Sequence, residues 1–92
     1  MPYIVPERRE ELQELIMDLS KKLKFMRASA GDLNYVVTRL MLNHIDDAGL
    51  NYSTINDLIG MLECSKMELY RRVAAPYENQ KIFKNGDVEI PK

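Results

Sequence analysis

The chain has 92 residues with 13 Lys and Arg, 14 Asp and Glu, a formal net charge of −1, one Cys and one His. This length predicts a single domain, residues 1–92, that buries only about 60 to 65 per cent of the surface exposed on unfolding. One cysteine excludes an internal disulfide, and one Cys with one His excludes a four-ligand zinc site within one chain. Association between copies remains as a source of stability, so a homo-oligomer is expected.

The near-zero charge argues against a protein whose affinity comes from general attraction to phosphate backbones, so a nucleic-acid partner is not favoured. The N-terminus lacks the basic start and continuous apolar run of a signal peptide. No apolar stretch approaches the ~20 residues that a bilayer-spanning helix needs. We therefore expect a cytoplasmic protein with no membrane partner.

The first predicted helix covers residues 7–27 and follows an extended arm, Tyr3-Ile4-Val5. Pro2 and Pro6 flank the arm and favour extended neighbours, and Pro6 also suits the first turn of a helix. The apolar residues that follow recur at steps of three and four and form one stripe. They are Leu12, Leu15, Ile16, Leu19, Leu23 and Met26. Ser29-Ala30-Gly31 is predicted to end this helix.

The second predicted helix covers residues 33–47, with Asp32 as its N-cap and Gly49 as its stop. Its apolar residues point in two directions: Tyr35 and Leu42 lie almost opposite the main face. Such a helix is usually covered on two sides, so its second side is a candidate subunit contact. The main face consists of Leu33, Val36, Val37 and Leu40.

The third predicted helix covers residues 54–75, capped by Ser53 or Thr54 and stopped by Pro76. Asn85-Gly86 then stands between two short β-capable runs, which predicts a short C-terminal β-hairpin or tail over residues 78–92. The predicted fold is all-α: a three-helix bundle with an extended N-terminal arm and this hairpin or tail.

Lys66 lies in the middle of the apolar face of the third helix, so its amine must reach water or meet a negative group. One interpretation is a lysine that extends to solvent; the other is a pocket for an anionic ligand. Arginine guanidinium groups favour bidentate contacts with phosphate or carboxylate oxygens. Alternatively, Glu68 pairs with the two arginines that follow it on a solvated face. The candidate ligand-binding residues are Lys66, Tyr70, Arg71 and Arg72, with Tyr77 and Arg39 as second choices.

No residue pattern identifies a catalytic or metal site. His44 is expected to be a partly buried imidazole or a cation near a helix C-terminus, and no serine or cysteine stands at a spacing that would make it a general base. Cys64 projects away from the apolar stripe and is expected to be a small neutral side chain. The sequence therefore predicts no enzyme, no metal and no cofactor.

Three segments carry a resemblance that spans nearly the whole chain: MPYI-x-P-E-R-R-E-E-L, G-D-L-N-Y-V-V-T-R-L, and I-G-M-L-E-C-S-K-M-E-L-Y-R-R-V-A-A-P-Y-E followed by N-G-D-V. They resemble an uncharacterised family of short phage and prophage proteins. The end of the third helix is also similar to small helical phage proteins that sequester cyclic nucleotide signals of bacterial immunity. That similarity implies an oligomer that binds without catalysis.

The expected function is a non-enzymatic phage-derived counter-defence protein in the bacterial host cytoplasm, which binds a small anionic ligand such as a cyclic nucleotide as a homo-oligomer. One alternative is an inhibitor that covers a host protein with its acidic first helix. A small DNA-binding regulator is less favoured, because no helix pair shows a short turn leading to a basic recognition helix.

Overall fold

A computed structural model of the protein describes residues 3–91, which form three continuous helical stretches and contain no strand. The helices are α1 (Pro6–Phe25), α2 (Ala30–Ala48), α3 (Tyr52–Leu69) and α4 (Ala75–Asn85), and a π-turn, Tyr70–Ala74, joins α3 to α4. The all-α prediction is confirmed. The third helical stretch is longer than predicted, because it continues through Pro76 as α4.

The N-terminal arm is extended at Val5, the residue before α1. Val5 has φ −61° and ψ 150° and precedes Pro6 at the start of α1. The Val5 carbonyl accepts the backbone N–H groups of Arg8 and Arg9, both at 3.1 Å. Arg9 also donates its Nε to the Ile4 carbonyl at 2.7 Å, which ties the arm to the helix. Met1 and Pro2, which are part of the predicted arm, lie outside the described residues.

Helix α1 ends at Phe25, two residues before its predicted end at residue 27. Ala28 donates its N–H to the Leu23 carbonyl at 3.0 Å, and Arg27 donates to Lys24 at 3.1 Å. These two bonds form a Schellman motif, whose C′ residue adopts the left-handed conformation that glycine prefers. Arg27 occupies that position with φ 55°. A strained arginine therefore stands where a glycine is usual.

The cap of α2 is a reciprocal box between Ser29 and Asp32. The Asp32 N–H donates to Ser29 Oγ at 3.2 Å, and the Ser29 N–H donates to Asp32 Oδ2 at 2.8 Å. The prediction of Asp32 as N-cap is therefore wrong: Ser29 is the N-cap, and Asp32 completes the box from the first turn. The predicted stop at Gly49 is confirmed, since its N–H bonds to the Ile45 carbonyl at 2.8 Å with φ 103°.

The start of α3 is capped by Asn51, so the prediction of Ser53 or Thr54 as the cap is also wrong. Asn51 Oδ1 accepts the Thr54 N–H at 2.9 Å, and the Asn51 carbonyl accepts the Ile55 N–H at 3.1 Å. Asparagine is among the best N-cap residues because its short amide oxygen reaches the first free N–H groups of the helix. With Asn51 as the cap, α3 begins at Tyr52, earlier than the predicted start at residue 54.

Of the two structures predicted for residues 78–92, a β-hairpin or a tail, the hairpin is wrong: the described residues contain no strand. Residues 78–85 belong to α4, and residues 87–91 have no regular secondary structure. Gly86 ends α4 with φ 90°, and its N–H donates to the Ile82 carbonyl at 2.8 Å. A glycine with positive φ serves a hairpin turn and a helix C-terminus equally well, so the Asn-Gly pair did not distinguish the two.

The chain divides into two units, Met1–Leu58 and Ile59–Lys92, with the division inside α3. Among the described residues no apolar side chain is buried, and the buried residue is Thr54, at 8% exposure. The α1 stripe is open to solvent: Leu12 is 37% exposed and Leu15 is 69% exposed. A bundle would bury this stripe, so the three-helix bundle stays a prediction.

Both apolar sides of α2 are open to solvent in the single chain. Leu33 and Leu40 are exposed on the side predicted to face a core, and Tyr35 (66%) and Leu42 (46%) are exposed on the other. In the single chain, α2 therefore exposes apolar surface on both sides, whereas the periodicity of the sequence predicted that only the second side would be available to a partner. Among the described residues, no helix combines the length and apolarity needed to cross a membrane.

Candidate functional site

The π-turn Tyr70–Ala74 lies in the middle of the predicted ligand-binding residues. Its cause is Pro76, which has no N–H to donate and whose ring clashes with the carbonyl four residues earlier in an α-helix. The wider turn relieves this conflict: Ala75 donates its N–H to the Tyr70 carbonyl, five residues back. The predicted stop at Pro76 is therefore wrong. Single π-turns inside α-helices are frequent at functional sites.

Arg71 and Arg72 lie in the π-turn and share one carboxylate oxygen. Arg71 donates a terminal N–H to Glu68 Oε1 at 2.7 Å, and Arg72 donates its Nε to the same oxygen at 2.6 Å. The Glu68 side chain is 25% exposed, whereas both arginine side chains are mostly exposed. The pairing that the sequence offered as the alternative to ligand binding is present, and it holds two guanidinium groups side by side.

Lys66 reaches solvent and also meets a negative group. Its side chain is 74% exposed, and its Nζ lies 3.5 Å from Glu63 Oε2. Such an exposed helical pair stabilises a helix by only a few tenths of a kcal/mol. Leu62 and Leu69, which flank Lys66 on the predicted apolar face, are themselves exposed. The lysine is therefore not enclosed by its apolar neighbours.

The two tyrosines among the candidate residues each expose more than half of their surface. Tyr70 begins the π-turn and is 55% exposed, and Tyr77 in α4 is 58% exposed. Lys81 places its Nζ 5.5 Å from the centroid of the Tyr77 ring. That distance is within the range of a cation–π interaction, which contributes about 0.5–1 kcal/mol at an exposed site.

Arg39 is the one candidate residue outside this helical stretch. It is exposed on α2, in the unit Met1–Leu58, whereas the other five candidates belong to the unit Ile59–Lys92. Its place in the candidate site therefore stays a prediction.

The residues that the sequence assigned to structural roles are placed as follows. His44 is exposed near the end of α2. The predicted position near a helix C-terminus therefore holds, and the alternative of a partly buried imidazole is wrong. Cys64 is half-buried and has a free thiol. Within residues 3–91, no group of His, Cys, Asp or Glu side chains is arranged to hold a metal ion.

Two features of the candidate site were not predicted from the sequence. Lys81 was not considered, although it stands four residues after Tyr77, a spacing that places two side chains on the same helical face. The π-turn was missed because Pro76 was taken as a stop. Pro76 stands within a segment in which the spacing of charged and aromatic residues is the same before and after the proline. Such a pattern indicates a helix that continues past the proline.

Residues 1–88 match a family model described as a domain of unknown function, DUF6899. The chain shows no significant match to a curated protein or to a solved structure.

Proposed function

Since the chain belongs to the DUF6899 family, whose description assigns no activity, we propose from its own surfaces that it is a non-enzymatic phage-derived accessory protein. In this proposal it associates with copies of itself in the bacterial host cytoplasm and binds a small anionic ligand. The leading ligand class is a cyclic nucleotide messenger, and the consequence is sequestration of that messenger.

The observation that carries the ligand proposal is the Arg71 and Arg72 pair on Glu68. One carboxylate oxygen holds both guanidinium groups, at 2.7 and 2.6 Å, so the two cationic groups are ordered together before any ligand arrives. Planar guanidinium groups recognise phosphate oxygens through paired N–H donors. An ordered pair loses less side-chain entropy on binding than two mobile arginines.

The charge of the surrounding segment supports the same ligand class. Residues 66–84 contain five Lys and Arg side chains but only two acidic ones, Glu68 and Glu78, although the whole chain carries a net charge of −1. The exposed rings of Tyr70 and Tyr77 can stack on a nucleobase, and stacking of this kind contributes about 1–3 kcal/mol per base. Phosphate contacts and base stacking together distinguish a nucleotide from a simple inorganic anion.

A thermal-shift series with cyclic di- and trinucleotides tests the proposal. A ligand that binds only the folded protein raises the unfolding midpoint by mass action, by an amount that grows with ligand concentration. We expect a shift in the native protein that is lost in Arg71→Ala and Arg72→Ala and reduced in Lys66→Ala.

Arg8→Ala is the matched control for these variants. Arg8 makes the same kind of pair with Glu11, at 2.7 Å and with a similarly exposed side chain, but it lies on α1. The Arg8→Ala protein should keep the full ligand-induced shift. An equal loss in Arg8→Ala and Arg72→Ala would show that the effect is general electrostatics rather than a site.

A second candidate function, inhibition of a host protein, is supported by the open apolar faces of α1 and α2. Exposed contiguous apolar surface marks protein interaction sites, and a host protein could cover it as well as another copy could. This candidate function is favoured if no cyclic nucleotide raises the midpoint of thermal unfolding and the purified protein is monomeric. A DNA-binding role is the least supported, because the unit Met1–Leu58 contains seven Lys and Arg residues against nine Asp and Glu.

A further inference from the structure

The end of α4 combines an exposed asparagine with a glycine that directly follows it. Asn85 is the last residue of α4, and Gly86 is its C-cap, with φ 90° and ψ 155°. Both residues are exposed. The chain contains six asparagines, and the other five are followed by Tyr, His, Asp or Gln, so this pair occurs once. It places a side-chain amide next to a backbone nitrogen whose own residue has no Cβ to shield it.

The surroundings of Gly86 leave room for these two groups to meet. A Cβ atom at Gly86 would come within 4 Å of no other part of the described chain. Asn85 belongs to the last turn of α4, where helices fray, and residues 87–91 have no regular secondary structure. The Asn85 amide can therefore approach the Gly86 nitrogen without displacing packed atoms.

One hydrogen bond opposes this approach. The Gly86 N–H donates to the Ile82 carbonyl at 2.8 Å, which continues the pattern of the helix. Attack on the Asn85 side chain requires rotation about the bond between the Cα and the carbonyl carbon of Asn85, and this rotation breaks the hydrogen bond. The net strength of one such bond corresponds to a factor of roughly two to ten in population. The cap of α4 therefore slows the reaction without preventing it.

We infer that Asn85 is a site of spontaneous deamidation, which begins when the last turn of α4 opens. The Gly86 nitrogen attacks Cγ of Asn85 and closes a succinimide ring. The C–N bond of the side-chain amide breaks, and its NH2 group leaves as ammonia together with the proton of the Gly86 nitrogen. Water then opens the ring. Cleavage between Cγ and the nitrogen gives aspartate, and cleavage between the main-chain carbonyl carbon and the nitrogen gives isoaspartate.

The reaction changes both the charge and the path of the chain at this end. Either product has a carboxylate in place of an amide, which takes the formal net charge from −1 to −2. A carboxylate is unfavourable at a helix C-terminus, because that end of the helix dipole is negative. Isoaspartate also adds a methylene to the backbone, so the Gly86 N–H no longer lines up with the Ile82 carbonyl. Deamidation therefore loosens the last turn of α4. The inference rests on this cap and does not depend on the proposed ligand function.

Peptide mapping of the full-length protein tests the inference. The folded protein is incubated in mildly alkaline buffer and digested with trypsin, which cleaves after Lys84 and releases residues 85–92 as one peptide. A sample without incubation corrects for conversion during the digest. We expect this peptide to gain the mass difference between water and ammonia over time, and chromatography should separate its aspartate and isoaspartate forms.

The same digest contains an internal control. Asn79 is also in α4 but is followed by Gln80, so it should convert more slowly than Asn85 by at least roughly tenfold, because a Cβ crowds the attacking nitrogen. Asn85→Gln is the matched variant: its side chain is one methylene longer, the attack would need a larger ring, and the mass of its peptide should stay constant. Circular dichroism checks that this variant keeps its helices.

A sample unfolded in urea tests the role of the cap. It lacks the hydrogen bond to Ile82, so Asn85 should convert roughly two- to tenfold faster there than in the folded protein. A constant mass in the folded protein, over a period in which the unfolded chain converts, would overturn the inference. Equal conversion at Asn79 and Asn85 would do the same, because the glycine would then have no part in the reaction. Equal rates with and without urea would contradict control by the α4 cap.

Discussion

Ala75 donates its backbone N–H to the carbonyl of Tyr70, five residues earlier, at the C-terminal end of the π-turn. The bond skips Arg71, which an α-helix would have used as the acceptor. This exchange is what lets the helix pass Pro76, and it determines the direction in which Arg71 and Arg72 leave the helix axis. The candidate ligand site is therefore coupled to a single proline.

Replacing that proline tests the coupling. Pro76→Ala restores an N–H and removes the ring clash, and because proline costs about 3 kcal/mol in a helix interior, we expect stabilisation of about 1–3 kcal/mol. The Ala75 hydrogen bond should move from Tyr70 to Arg71, which NMR hydrogen-bond scalar couplings detect. Pro6→Ala at the first turn of α1 is the control and should change stability little. Retention of the Tyr70 bond in Pro76→Ala would contradict this account of the π-turn.

Arg27 is a position where replacement by glycine should make the protein more stable. With φ 55° it holds the left-handed conformation at the C′ position of α1, so Arg27→Gly should raise the free energy of unfolding by about 0.5–1 kcal/mol in urea titrations. Arg27→Ala removes the same side chain but keeps a Cβ, so it should give no such gain. Equal stabilisation by alanine would show that loss of the charge, not relief of strain, is the cause.

Glu68 orders the arginine pair for a ligand. Neutralising it in Glu68→Gln removes the carboxylate that both guanidinium groups contact, and we expect a few-fold weaker binding of a cyclic nucleotide by calorimetry, because two mobile arginines lose more side-chain entropy on binding. The loss in stability should stay below about 1 kcal/mol, as for other exposed pairs. Glu11→Gln removes the corresponding acid of the α1 pair and should leave the affinity unchanged. Tighter binding in Glu68→Gln would mean that the carboxylate blocks the arginines rather than positioning them.

Leu42→Glu should weaken self-association if the second face of α2 contacts another copy. Leu42 is 46% exposed in the single chain, so the charge itself costs little in an isolated subunit. Buried against a partner, an unpaired carboxylate costs several kcal/mol, and light scattering should show a shift to smaller species. Asn43→Asp adds a charge to the adjacent exposed residue and should have a smaller effect.

Much of the helical architecture could be predicted because its causes are local. The period of three and four residues identified all three helical stretches, and Gly49 marked the end of α2. Ser29 was passed over as a cap although Asp32 follows it at the spacing of a capping box. The hairpin error at Asn85-Gly86 has a physical origin, since one glycine conformation serves both structures.

Burial could not be predicted because it depends on what covers each helix, not on the helix itself. The stripe of α1 and the main face of α2 have the pattern of a core, yet Leu15 and Leu40 are exposed in one chain. At the candidate site, spacing alone predicted the pairing of Glu68 with Arg71 and Arg72. The distance between Arg39 and these residues depends on tertiary placement, which no local pattern encodes.

The central claim is that copies of this chain cover one another's apolar faces. Sedimentation equilibrium of the native protein over the micromolar range tests it most directly. We predict a mass of at least two subunits of 10.7 kDa each, with helicity that falls when dilution dissociates the assembly. A constant mass of one subunit, with full helicity at every concentration, would contradict the claim.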